Sequence, residues 1–214
     1  MKKRTTTTLV LAFIGLLWAG LAAAQSGDAD SSQSSADYDQ ALTFYQQGQF
    51  DEAIKKLQGP SAANPYDLKI NSLLAKAYLD KAEKMKIAGD KGYRYSIKQP
   101  YVIGIRLLRA NPTLPGPYYI IAKSLLINNR PLKAARSIEK AIYYAGPQHK
   151  DYATYLETKG DCWKDLMVKR KDMRGFGYAK KSYEMALAAA KDDAGTVTRI
   201  KLKIMELEKK HRRS

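Results

Sequence analysis

The chain has 214 residues, 45% of them hydrophobic and 27% charged, with one cysteine and a formal net charge of +16. That length supports one domain with a substantial core. A single cysteine excludes an internal disulfide framework, and a basic excess of this kind speaks to partners and association rates rather than to fold.

In chain order, Lys2, Lys3 and Arg4 come first, and an apolar run follows from Leu9 to Ala24. Ala22 and Ala24 stand three and one residues before Gln25. This is the layout of a secretory signal peptide cleaved near Ala24. The run is 16 residues long, at or below the roughly 17–25 that a membrane-spanning helix needs. Gln25 to Ala36, QSGDADSSQSSA, is polar and Ser-rich without an apolar period, which predicts a disordered linker. Beyond it the pattern is helical, with prolines expected at the breaks between helices and no alternating strand run.

Charge is distributed unevenly. Gln25–Asp67 carries 2 basic and 7 acidic residues, whereas Leu68–Ser214 carries 32 basic and 14 acidic. An exported chain meets lipid headgroups, acidic polysaccharides and acidic proteins as anions, and nucleic acid is excluded as a partner by that location.

The helical region repeats itself. Ala41 is followed by Phe44 three residues on and Ala53 twelve on; Ala122 is followed by Leu125 and Ala134 at the same offsets. Ala134, Ile138 and Ala141 recur as Ala179, Tyr183 and Ala186, and Gly160 has Trp163 three residues on. Small residues at these offsets let two helices of a hairpin approach closely, and the large ones fill the space between them. Near the end, Val197, Ile200, Ile204 and Leu207 form one apolar stripe, opposite Arg199, Lys201, Lys203, Glu206 and Glu208. That helix suits a solubilising cap.

On these residues, A-x2-F…GQFDEA at Ala41–Ala53, Y-x2-I-A-x2-L…A-x3-I-x2-A at Tyr118–Ala141 and G-x2-W…A-x3-Y-x2-A at Gly160–Ala186, the chain resembles the tetratricopeptide repeat (TPR) family, whose period is about 34 residues. The resemblance implies an all-α fold: a right-handed α-solenoid of about four helix–turn–helix repeats with a C-terminal capping helix. The expected organisation is a signal peptide at 1–24, a linker at 25–36, repeats at 37–192, and the capping helix with a basic tail at 193–214.

Two repeats are too long. Ala75 to Ala122 is 47 residues, and the surplus falls near Ile87–Gln99; in that frame Pro100 stands where alanine is expected. Gly160 to Ala179 is 19 residues rather than 12, with the surplus near Val168–Tyr178. Both surpluses are expected at the turn between the two helices of a repeat, the first with lengthened helices as an alternative. All such turns lie on one edge of a solenoid. This predicts a basic, aromatic edge containing Lys91, Arg94, Lys98, Arg130, Lys169, Arg170, Lys171 and Arg174.

The resemblance also implies a concave groove lined by the first helices of the repeats. Counting from the small residues, Tyr38, Leu42, Tyr45, Lys69, Lys76, Leu79, Tyr119, Lys123, Leu126, Ile127, Asp161, Lys164 and Asp165 are expected to face it. Tyrosines there offer apolar area with a polar tip, and Lys69, Lys76 and Lys123 suit an acidic peptide or carboxylate.

Catalysis is not indicated. His149 and His211 each lack a second ligand at metal spacing, and no acid, base and nucleophile set is present. No cofactor is expected. Cys162, between Asp161 and Trp163, is read as a small half-buried residue. The expected function is a non-catalytic adaptor of the bacterial cell envelope, periplasmic or secreted, that grips protein partners in its groove. The alternative is a module for anionic lipid headgroups or acidic polysaccharide that uses the basic edge.

Overall fold

The computed structural model describes residues 35–171, 173–190 and 193–212. The expected signal peptide and residues 25–34 of the expected linker lie outside them. Among the described residues, all regular structure is α-helical. Residues 35–46 form α1, so the helical part already includes Ser35 and Ala36. It is followed by α2 (Phe50–Ala63), α3 (Leu68–Ile87), α4 (Tyr93–Ser96), α5 (Lys98–Ala110), α6 (Pro115–Ile127), α7 (Pro131–Ala145), α8 (Tyr152–Arg170), α9 (Arg174–Ala189) and α10 (Ala194–His211).

These helices form hairpins α1–α2, α3–α5, α6–α7 and α8–α9. The first helices pack on one another in succession, α3 on α6 and α6 on α8, and α10 closes the series against α8 and α9. Burial explains the pairing. Ala41, Ala53, Ala75, Ala122, Ala134, Ala141, Ala179 and Ala186 are all fully buried, as are Leu57, Ile138 and Tyr183. One hairpin cannot cover its own apolar face, and stacking makes the core continuous.

Glycine sets the closest approach between α8 and α9. A Cβ on Gly160 would lie 2.4 Å from the Tyr183 ring, so the aromatic residue packs flat on backbone. Repeat two reverses the size pattern. Pro100, Gly104 and Leu107 are all buried at the positions held in repeat three by Ala134, Ile138 and Ala141. A Cβ on Gly104 would sit 2.7 Å from Ile121. The volume missing from α5 is thus supplied by α6.

Each first helix ends in a left-handed residue: Gly48, Gly89, Asn129 and Lys171. This is the common way to stop a helix, and it is comfortable for glycine and less so for lysine.

Two expectations are corrected. The surplus of repeat four does not form a loop. It lengthens the pair, giving a 19-residue α8 and a 16-residue α9, against 13 and 15 residues for α6 and α7. In repeat two it lengthens α3 to 20 residues and folds the short α4. Lengthening satisfies backbone groups within the helix, which a long loop leaves to solvent. Not every proline marks a break, either. Pro60 sits inside α2, whereas Pro100 and Pro117 lie in the first turns of α5 and α6, at the breaks as expected, where the absent N–H has no intrahelical partner to lose.

Candidate functional site: a concave groove with one sealed end

A concavity of about 890 Å³ is lined by α1, α3, α6, α8 and α10. Its apolar floor includes Leu79, Ile120 and Tyr119, and the Tyr119 and Tyr155 rings lie 5.4 Å apart. Burial pushes the phenols of Tyr45, Tyr119 and Tyr155 upward. They stay neutral, with an apolar ring and a polar tip. Five cationic side chains (Lys76, Lys123, Lys150, Arg199, Lys203) and five acidic ones (Asp80, Glu83, Asp151, Glu157, Asp161) share the lining. The groove is charge-balanced, in contrast to the chain.

At the α3 end the polar groups are paired singly. Tyr45 donates to Asp80 at 2.6 Å, and Lys123 lies 3.4 Å from Glu83. Burial raises the Asp80 carboxyl, and the Tyr45 hydroxyl and Lys123 only partly offset this. Lys76 is exposed.

The α10 end is sealed. Arg199 Nε and Nη2 donate to the Glu157 carboxylate at 2.9 and 2.8 Å. Lys203 Nζ reaches Glu157 at 2.8 Å and Asp161 at 2.7 Å. Asp161 also accepts from the Tyr183 hydroxyl at 2.7 Å. Glu157 is 4% exposed. Burial works to raise its carboxyl, but Arg199 and Lys203 outweigh that and hold it below the ordinary range. The sequence signal for this cluster was present: Glu157 and Asp161 are four apart on α8, as Arg199 and Lys203 are on α10. The basic face of α10 was expected to meet solvent, and two of its cations instead close the groove.

Of the residues expected in the groove, Tyr45, Lys76, Leu79, Tyr119, Lys123 and Asp161 line the concavity. Tyr38 and Lys69 are outside its lining and pair with each other, with Lys69 Nζ 4.1 Å from the Tyr38 ring. Leu42 packs partly buried against the N-terminal core. Lys164 and Asp165 also fall outside the lining, and burial raises the Asp165 carboxyl. Leu126 and Ile127 are corrected: both are buried. The helix α6 has neighbours on both flanks, so Ile127 enters the core of repeats one and two and Leu126 that of repeat three.

The predicted edge is used in several ways. Lys169 Nζ donates to the Asn129 carbonyl at 3.1 Å. Lys86 donates to the Ile127 carbonyl at 2.8 Å and to Asn129 Oδ1 at 2.9 Å. Two lysines from neighbouring repeats thus cap the negative end of α6. Arg94 lies over Tyr93 and Lys98 over Tyr95, at 6.0 and 5.9 Å. Arg170 and Arg174 line a smaller cavity of about 230 Å³ beside Trp163, Met167 and Tyr178. Lys171 holds the left-handed turn, and Lys91 and Arg130 are exposed. Cys162 is fully buried, and burial pushes its thiol up, away from the range of a nucleophile. Among the described residues, no group of three His, Cys, Asp or Glu side chains is placed to hold a metal ion.

No protein-family model matches the chain, and no curated protein matches it in sequence. Solved structures do match in shape. The thermophilic TPR protein TTC0263 of Thermus thermophilus aligns with a TM-score of 0.62 over 80% of this chain and 81% of its own, at 18% identity. Two structures of MamA align over 81% and 85% of the chain and 97% and 94% of their own, at 17% identity and TM-scores of 0.44 and 0.46. The first of these, together with the paired helices and their buried small residues, establishes the architecture: the chain folds as a tetratricopeptide-repeat α-solenoid.

Proposed function

We propose that this chain is a non-catalytic scaffold that holds a protein segment in the concave groove. One observation carries the reading. The first helices of successive repeats contribute to a single concavity of about 890 Å³, in which neutral tyrosines stand beside singly paired charges. That mixture suits a peptide or helix that presents an apolar side chain with polar neighbours. The balanced charge of the lining makes Lys76 and Lys123, rather than the groove as a whole, the points that favour an acidic group. The partner enters toward α3, because α10 fills the other end.

A photo-crosslinking residue at Lys76, compared with one at Lys181 on the exposed face of α9, tests this. Groove binding predicts one discrete crosslinked species from position 76, lost with Tyr119→Ala, and none from position 181. Equal labelling from both sites would overturn it.

Adaptor work in the bacterial envelope is part of the same proposal and rests on the basic start and the apolar run Leu9–Ala24. Export predicts a protein in the periplasmic or secreted fraction whose first residue is Gln25. Cytoplasmic protein retaining Lys2–Arg4 would contradict it.

A further inference from the structure

The acidic groups of this fold are largely committed within the molecule. Asp51 pairs with Lys81, Glu83 with Lys123, Glu139 with Lys159 and Glu208 with Lys180. The basic surplus therefore emerges elsewhere, and one part of it lines the outward face of α7. Lys133, Arg136, Lys140, Tyr143 and Tyr144 are all exposed and fall within roughly 100° of the helix circumference at 100° per residue. Ala134, Ala135, Ile138 and Ala141 occupy the opposite, buried side.

No ion pair is formed by Lys133, Arg136 or Lys140 among the described residues. The acid on this helix, Glu139, is turned to Lys159 at 3.2 Å. The preceding outer helix, α5, contains no acidic residue, so it leaves the stripe unneutralised.

The aromatic end is ordered. Tyr144 stacks on Tyr118 with centroids 5.5 Å apart, and Tyr143 meets Tyr144 edge-on at 5.2 Å. Lys140 Nζ stands 5.6 Å from the Tyr118 ring. Tyr143 is 81% exposed, and its neighbours hold it pointing outward.

We propose that this face of α7 docks on an anionic lipid bilayer. On this 15-residue helix the stripe from Lys133 to Tyr144 forms a line about 16 Å long, and that fits a flat surface. Three uncompensated cations complement anionic headgroups, and tyrosine favours the depth of those headgroups. Because the groove lies on the first helices and α7 is a second helix, a docked molecule keeps its groove open to solvent. The proposal is independent of what the groove holds.

The test is sedimentation of the full chain with vesicles of phosphatidylglycerol and phosphatidylcholine, against vesicles of phosphatidylcholine alone. The apolar Leu9–Ala24 run binds both alike, and Lys2, Lys3 and Arg4 add the same anionic excess to every variant, so the part of the excess lost on substitution reports the charged face. Substituting Lys133→Glu, Arg136→Glu and Lys140→Glu together is expected to lower that excess at least about 100-fold, at roughly fivefold per cation removed and more for its reversal. Tyr143→Ser alone should lower it severalfold with unchanged helical circular dichroism.

A matched triple at the turns, Lys91→Glu, Arg94→Glu and Lys171→Glu, makes the same change in net charge. It is expected to lower the excess far less. Equal losses from the two triples would overturn the proposal, since net charge alone would then explain binding. Retention of full binding by the α7 triple would overturn it too, as would stronger binding to soluble polygalacturonate than to anionic vesicles.

Discussion

The two ends of the groove use the same residue types to different effect. Toward α3, Lys76 is exposed and Lys123 has one carboxylate at 3.4 Å. Toward α10, Glu157 and Asp161 are shared between Arg199 and Lys203, and Tyr183 adds a fifth group. The difference lies in what comes next. Beyond α8 a further helix supplies partners and excludes water, so charges there are committed to the fold. Single pairs at the groove wall contribute less to stability than a shared network and remain available to a visitor.

That contrast can be broken most sharply at Lys203. Lys203→Met leaves Asp161 with the Tyr183 hydroxyl and, as its cation, Lys164 at 3.9 Å, and takes one cation from buried Glu157. A loss of about 2–4 kcal/mol is expected from two desolvated carboxylates that share one cation fewer. It should appear in chemical denaturation and as faster amide exchange in α10, with α3 unchanged.

Next comes Gly160→Ala. The added methyl meets the Tyr183 ring at 2.4 Å, and overpacking of this kind costs about 1–3 kcal/mol. Slow amides of α8 and α9 should report it. An unaltered melting curve would show that the ring has room to move.

Acid should loosen the sealed end. The Glu157 carboxyl is held below its ordinary value by Arg199 and Lys203 against the pull of burial. Its contribution is therefore full above the ordinary glutamate pKa and is lost as pH falls through the depressed folded value. Exchange in α10 is expected to accelerate over that window, and Glu157→Gln should lessen this pH dependence, leaving the part due to the Asp193 cap and the Glu208–Lys180 pair.

The smallest effect is expected at the open end. Tyr45→Phe removes the 2.6 Å bond to Asp80, worth about 0.5–1.5 kcal/mol, and Lys76→Ala should change stability by less than about 0.5 kcal/mol. A larger loss from Lys76→Ala would mean that this end also is structurally committed.

The repeat was legible in the sequence because its residues interact locally. Ala134, Ile138 and Ala141 can be read as a hairpin contact without knowing what lies beyond the hairpin. Whatever depended on the third helix in line was harder to see. Leu126 and Ile127 occupy groove-facing offsets, yet α3 and α8 flank α6 and bury both. Arg199 and Lys203 sit on the polar face of an amphipathic helix, and only the placement of α8 shows that this face is covered. The surplus residues of repeats two and four were located correctly in the chain, but spacing counts residues and is blind to whether they coil into a longer helix or leave it.

The overhanging ends of α3 and α8 have a consequence for how this protein can change. Lys86 from one side and Lys169 from the other converge on the same short turn at Ile127–Asn129. Repeat three is clasped by both neighbours. Its units are therefore not interchangeable beads: deleting, duplicating or transplanting one repeat strands a lysine or uncaps a helix. Growth of this solenoid is confined to its two outer boundaries.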